Sequence, residues 1–237
     1  MELRGRHCVV TGATQGIGRA IAVALGNEGA RLSLCARTGD AVEALVGDLN
    51  RQDITAVGGR CDVADERSVD TFVAMARSRF GPVDVLVNNA GLAYFVPVEH
   101  MSTDDFDATL AVNVRGVFLM TRAVLAEMAR RERGHIVNIA SLAGRNPVPG
   151  AAAYAASKHA VLGFSKSLFG EVRKQGIRVT AICPGSVVTP FFEKSGGALE
   201  RPEQKLQADD VAAMVLAALR LPDHALVSEL DIRPTNP

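Results

Sequence analysis

Short runs of apolar and β-branched residues recur along this chain, each followed by a turn and then a stretch with helical periodicity. That alternation restricts the fold more than any other feature. The runs are His7–Val10, Arg31–Ala36, Ile54–Cys61, Val83–Val87, His135–Ala140, Ile177–Ile182 and Leu226–Ile232. Between them lie an amphipathic stretch carrying Ile17, Ile21, Ala24 and Leu25, then Asp40–Leu49, Val69–Phe80, Thr103–Met128, Ala151–Lys174 and Ala208–Arg220. A bend is expected in the fourth of these, near Asn113–Gly116. Continuous apolar strands that alternate with helices predict a parallel sheet covered on both faces. Right-handed crossovers then make it a doubly wound α/β fold. The 237 residues hold no linker-like stretch, repeat or low-complexity segment, and 48% are apolar. One domain with a substantial core is therefore expected.

Charge excludes more than it selects. The chain carries 26 Lys+Arg against 26 Asp+Glu, which gives no electrostatic reason to expect nucleic acid or an anionic membrane as partner. No apolar run approaches the roughly 20 residues that span a bilayer, and the N-terminal segment lacks a signal-peptide apolar region. Cys8, Cys35, Cys61 and Cys183 stand far apart, with no Cys-x-x-Cys pair. His7, His100, His135, His159 and His224 have no metal-ligand spacing. A cytoplasmic protein without a metal centre is expected.

After the first strand the chain reads Gly12-Ala13-Thr14-Gln15-Gly16-Ile17-Gly18 and enters a helix. Glycines let backbone approach a ligand closely. The N-terminus of a helix offers free N–H groups and partial positive charge to a phosphate. The spacing is G-x-x-x-G-x-G and not the G-x-G-x-x-G fingerprint, so the turn by itself marks a phosphate-sized cradle and no particular dinucleotide. The second strand ends Cys35-Ala36-Arg37-Thr38. NAD binders carry there an acid that pairs the ribose 2′-hydroxyl. Here a guanidinium follows instead, able to fork onto a 2′-phosphate, so NADP(H) is expected over NAD(H).

Tyr154 and Lys158, four residues apart in a helical stretch, share one face. A free tyrosine titrates near pH 10, and a nearby ammonium favours the phenolate. With Lys158 and an oxidised nicotinamide ring both contributing, the Tyr154 pKa is expected to come close to the working pH of a general acid–base. Ser141 and Asn88-Asn89-Ala90-Gly91 end strands on the side where parallel sheets collect ligands. Asn113 lies in the expected helix bend.

These motifs stand in an order and spacing that resembles the short-chain dehydrogenase/reductase family. They are Thr11-Gly12-x-x-x-Gly16-x-Gly18, Asn88-Asn89-Ala90-Gly91, Asn113, Ser141, Tyr154-x-x-x-Lys158 and Pro184-Gly185. The resemblance implies a seven-stranded Rossmann-type sheet and an oxidoreductase that moves a hydride between NADP(H) and a carbonyl/alcohol pair. It implies Tyr154 as the acid/base, and Lys158 as the residue that lowers its pKa and holds the nicotinamide ribose. Ser141 would orient the carbonyl, and Asn113 would hold a water linking Lys158 to solvent. Asp62-Val63 would meet the adenine, Asn89, Ala90 and Gly91 would line the groove, and Val187 and Thr189 would meet the carboxamide. Gln15 stands where many relatives carry a basic residue, which leaves Arg37 to carry the NADP preference. The C-terminal run Ser228–Pro234 also departs from the usual Gly-Gly strand.

Residues 186–207, with Pro190, Gly196, Gly197 and Pro202, are the least regular region and form a candidate lid over the substrate. Leu92, Tyr94, Leu142, Val148, Phe191 and Phe192 are candidate pocket walls, pointing to an uncharged ketone, aldehyde or 3-oxoacyl substrate. Arg145, Lys194 and Arg201 could form a basic patch for a carrier-bound substrate. The stretch Val112–Met128 is apolar on more than one face, so a homo-dimer or homo-tetramer is expected. Two rivals share this frame. One is an epimerase or dehydratase holding its nucleotide tightly, and the other is a non-catalytic NADP(H) sensor.

Overall fold

The computed structural model describes residues 2–196 and 201–236. Seven strands form one parallel sheet: β1 His7–Thr11, β2 Arg31–Ala36, β3 Ala56–Arg60, β4 Val85–Asn88, β5 Gly134–Ile139, β6 Ile177–Pro184 and β7 Glu229–Ile232. Their spatial order is β3-β2-β1-β4-β5-β6-β7. The order reverses between β1 and β4, paired through Cys8↔Val85 and Val10↔Val87. A crevice opens beyond the carboxyl ends of those two strands, the switch point at which such sheets bind ligands.

Alternation along the strands fills two cores. Val10, Val85, Val87 and Val137 face the helices α1 Gly16–Asn27, α2 Gly39–Arg51 and α8 Ala208–Arg220 through Ile21, Leu25, Leu49 and Val215. Val9, Leu86 and Ile136 face the opposite layer. That layer holds α3 Glu66–Phe80, α5 Gly116–Arg130 and α6 Ala152–Val172, which contribute Phe72, Met120, Val124 and Leu168. Truncating a fully buried residue such as Leu86 to alanine should cost about 2–5 kcal/mol.

Most element ends lie within a few residues of their expected places, but β3 and β7 are shorter at their starts. Helix ends follow local chemistry. The Asp65 carboxylate accepts from the Ser68 N–H (2.7 Å) and caps α3, and Gln207 and Asp210 make a capping box on α8. The bend expected near Asn113 is a wide π turn, Ala111–Arg115, joining α4 Thr103–Leu110 to α5. The flanking residues keep right-handed helical dihedrals, so the helix runs on without a break. This corrects a second expectation. The continuous helix of 28 residues, with a mean hydropathy of 1.3 over its most apolar window, is long and apolar enough to cross a membrane. Scattered polar residues hide that from a search for unbroken apolar runs. Its inner face, Val117, Leu119, Met120, Val124 and Met128, is buried in this fold, as in a core helix.

Candidate active site

The glycine-rich turn folds as it does because two glycines take left-handed dihedrals, Gly12 at φ 63° and Gly16 at φ 53°. A Cβ on Gly12 would sit 2.9 Å from the Ala90 Cα, and one on Gly16 would sit 3.0 Å from the Thr189 methyl. The turn is therefore held against both the segment after β4 and the segment after β6. Thr11 and Asn89 cross-link the two sides of the crevice. The Thr11 hydroxyl accepts from the Asn89 and Ala90 N–H groups (3.0 Å each). The Asn89 amide donates to the carbonyls of Thr11 (2.9 Å) and Gly12 (3.1 Å). Asn89 thus braces the groove with its side chain.

Unlike α3, α1 starts at Gln15 with no side-chain cap and no acid in its first turn. Its free N–H groups and dipole point into the crevice without an intramolecular anion, a start suited to a phosphate. Thr14 and Ile17 are half-buried beside it, and Gly18 is buried against the Gly12 carbonyl. Arg37 and Thr38 are exposed past the end of β2. Asp62 turns its carboxylate back onto the Ala64 N–H (3.0 Å). Val63 is buried, 2.8 Å from where a Cβ on Gly116 would lie. These residues fit a dinucleotide: a glycine cradle and an uncapped helix start, with no acid at the end of β2.

Ser141, Tyr154 and Lys158 come together across β5 and α6. The Lys158 ammonium, in a residue only 5% exposed, donates to the Ile139 carbonyl (2.9 Å) and lies 5.6 Å from the Tyr154 ring centroid. A Cβ on Gly91 would lie 3.8 Å from that ammonium and 3.6 Å from the Asn113 carboxamide oxygen. The Ser141 hydroxyl caps the turn Leu142–Gly144 by accepting from the Ala143 N–H (3.1 Å). Gly144 lets that turn lie on α6, 2.9 Å from the Lys158 carbonyl at the nearest point of a built Cβ.

Asn113 spends its side chain internally. Its amide donates to the Leu92 carbonyl (2.8 Å) and the Ser157 hydroxyl (2.9 Å), and its oxygen accepts from the Leu92 N–H (2.7 Å). It pins the segment after β4 to α6. Any water it holds falls to its main chain or to the one lone pair left on its oxygen.

The protein's own groups set the starting electrostatics of the site. Burial pushes the Tyr154 phenol up to about 12, against the opposing pull of its hydrogen bond with Ser141. Burial pushes the Lys158 ammonium down to about 8. Lowering of Tyr154 by Lys158 alone is thus not what the side chains produce. The ammonium is committed to the Ile139 carbonyl, and burial of the phenol outweighs the Ser141 hydrogen bond.

The rings near Tyr154 are Phe95 (6.2 Å between centroids) and Phe191 (5.7 Å). Phe95 was not among the expected wall residues, whereas Tyr94 was. In an extended segment neighbours point to opposite sides, so sequence offered two aromatics and no way to choose. Leu142 is half-buried near Gly185, and Val148 is exposed. Pro184 ends β6, and the Gly185 N–H donates to the Ile232 carbonyl (2.8 Å). Val187 is buried in a bridge with Leu206. The proposed basic patch is corrected at Arg145. Arg145 is ion-paired with Glu229 and Asp231, and the Lys194 ammonium donates to the Gln15 amide oxygen (2.7 Å). Residues 197–200 of the candidate lid, Gly197 among them, lie outside the described residues.

A sequence model of the short chain dehydrogenase family matches residues 6–199. The glycine betaine reductase ATRR of Emericella nidulans is 38% identical over 239 residues; the match covers 98% of this chain and 19% of that protein. The chain thus spans about one fifth of that relative. A metagenomic short-chain oxidoreductase solved in complex with NADP is 36% identical, with a TM-score of 0.87 over 99% of both chains. A variant of actinorhodin polyketide ketoreductase solved with NADPH is 34% identical, with a TM-score of 0.89 over 97% of this chain and 96% of that one. By motif order, sheet topology and these likenesses, the chain belongs to the short-chain dehydrogenase family of oxidoreductases.

Proposed function

We propose that this protein is an NADP(H)-dependent reductase of an uncharged ketone, aldehyde or 3-oxoacyl compound. One juxtaposition carries the reading: a half-buried phenol, a buried ammonium and a serine hydroxyl meet at the carboxyl ends of the strands, beside a glycine turn whose helix is uncapped. Solved relatives bound to NADP or NADPH support the choice of nucleotide. So does Arg37, where an NAD binder would carry an acid.

The cofactor's chemistry is to donate a hydride to the carbonyl carbon. Gly12, Thr14, Gln15, Gly16, Ile17 and Gly18 would hold its pyrophosphate, with Arg37 and Thr38 on the 2′-phosphate and Asp62 and Val63 on the adenine side. Asn89, Ala90 and Gly91 would form the groove floor, and Pro184, Gly185, Val187 and Thr189 the nicotinamide side. Tyr154 Oη gives its proton to the carbonyl oxygen as the alcohol forms. A phenol pushed up to about 12 by burial carries its proton at neutral pH; to release it efficiently, the value has to come down toward the working pH when the cofactor is bound beside Lys158. Ser141 donates to the same oxygen and orients it. Lys158, held by the Ile139 carbonyl, binds the nicotinamide ribose and stabilises the phenolate left behind. Asn113 keeps α6 and the Leu92 segment in register.

Residues 186–207 act as a lid in this reading. The Phe95 N–H bond to the Ser195 carbonyl (2.8 Å) and the Lys194–Gln15 bond (2.7 Å) are the contacts that would hold it down. The outer face of α4 and α5 leaves Phe106 at 40% and Phe118 at 42% exposed. A second copy covering it would give a dimer or tetramer, read as a doubled or quadrupled mass in light scattering. Four free cysteines suit a cytoplasmic location.

The test is NADPH depletion across diketones, aldehydes and 3-oxoacyl thioesters. Turnover with at least one class, and a higher kcat/KM with NADPH than with NADH, is expected. No turnover with any of them overturns the reading. An epimerase or dehydratase would instead retain nucleotide through purification and leave added NADPH unconsumed.

A further inference from the structure

The walls of the tyrosine site are aromatic. Phe95, in the segment after β4, meets the Tyr154 ring edge-on at 73°, and Phe191, the first residue of α7 (Phe191–Lys194), meets it at 50°. Phe192 stacks on Phe95 (5.6 Å, 17°) and stands at 90° to Phe191. The main-chain bond from Phe95 to Ser195 (2.8 Å) joins the two segments that carry these rings. Ser195 is itself buried, with its hydroxyl on the Phe191 carbonyl (2.7 Å). Phe95, Phe191 and Phe192 are each half-buried rather than enclosed in the core.

Of the two cations Arg145 and Lys194, only Arg145 is neutralised by acids, Glu229 and Asp231; the Lys194 ammonium keeps its charge and sits on the Gln15 side, at the glycine turn. A carboxylate approaching Arg145 would lose water without gaining an unpaired cation. Aromatic rings, by contrast, gain from edge-to-face and offset geometries at centroid separations of about 4.5–7 Å, beyond their buried area.

We propose that the substrate is an uncharged ketone bearing an aromatic ring close to its carbonyl, with Phe95 and Phe191 as specificity-determining residues. This rests on the reductase reading above and narrows it. A saturated ring of equal size would fill the same space and lack the quadrupole that the two phenyl rings read.

The experiment compares phenylacetone with cyclohexylacetone at saturating NADPH. In both the carbonyl is unconjugated, so intrinsic reactivity is matched. The expected kcat/KM ratio is about tenfold in favour of the phenyl compound, equivalent to about 1.4 kcal/mol. The ratio should fall toward one in Phe95→Leu and in Phe191→Leu, each checked for an unchanged melting temperature and NADPH affinity. A wild-type preference under about threefold, or a ratio that neither folded variant moves, overturns the proposal. Methyl levulinate against levulinate tests the uncharged condition: the ester should be preferred by about tenfold, and equal use of the anion overturns it. If other carbonyls in the depletion screen consume NADPH while phenylacetone does not, the aromatic assignment alone falls. If no carbonyl consumes it, the reductase reading falls as well.

Discussion

At the amino end of the sheet, Asp84 accepts from the His7 N–H (3.0 Å) and is ion-paired with Arg131 (2.5 Å) and Arg133 (3.1 Å). At the carboxyl end, Lys158 is just as buried but has one backbone carbonyl as its hydrogen-bond partner, and Tyr154 stands half-buried beside it. The pKa values record the difference. Burial alone would raise Asp84, but the His7 N–H and the two guanidinia outweigh it and hold the carboxyl below its ordinary range. Nothing comparable opposes burial at the other end, where Lys158 is pushed down to about 8 and Tyr154 up to about 12. The helix starts repeat the contrast, with α3 capped by Asp65 and α1 left open at Gln15. Polar groups that satisfy one another build a scaffold. Polar groups buried beside a groove and left short of partners keep their chemistry for something that enters it.

The largest effect that could break this comparison is at Tyr154. Replacing it with phenylalanine should reduce kcat for carbonyl reduction about 10²–10⁴-fold, with NADPH binding by fluorescence little changed. Retained turnover would remove the phenol from the chemistry. Asp84→Asn should act in the opposite manner. It should cost about 2–3 kcal/mol in urea unfolding, somewhat below a fully buried pair because both guanidinia reach solvent. The kcat of the folded protein should not change.

Acidification comes next. Burial holds His135 down at about 3 against 6.5 when unfolded. Between those values the unfolded chain binds the extra proton. The stability is therefore fully present above pH 6.5 and is lost as pH falls toward 3, by about 1.4 kcal/mol per pH unit from this group. His135→Gln should flatten the difference between urea midpoints at pH 7 and pH 4.5, and an equally steep dependence would exclude His135 as the cause. The smallest effect is at Arg37. Its replacement by alanine should raise the KM for NADPH about tenfold and leave that for NADH alone, as expected of one exposed charged contact. An equal rise for both nucleotides would place the 2′-phosphate elsewhere.

The fold was legible because its signals are local and repeated. Runs such as Val85–Asn88 and Ile136–Ile139 admit few arrangements when buried on both faces, and helices of regular period follow each strand. The residues at the strand ends were legible for the same reason, since topology carries Thr11, Asn88 and Ser141 to the carboxyl ends of the central strands. What escaped was set by contacts between segments far apart in sequence. Phe95 rather than Tyr94 faces the phenol, the Asn113 amide is spent on Leu92 and Ser157, and Arg145 answers to Glu229 and Asp231 across more than eighty positions.

Sequence by itself determined the alternation of strand and helix, the glycines at positive φ, the missing acid after β2 and the helical spacing of Tyr154 and Lys158. Each depends on a residue's own conformational preference or on neighbours within a turn or two. Only the tertiary structure decided which groups are buried, which cations are already neutralised and which way the tyrosine pKa moves. Desolvation and Coulomb attraction depend on distances through space, and the chain fixes those only when it has folded.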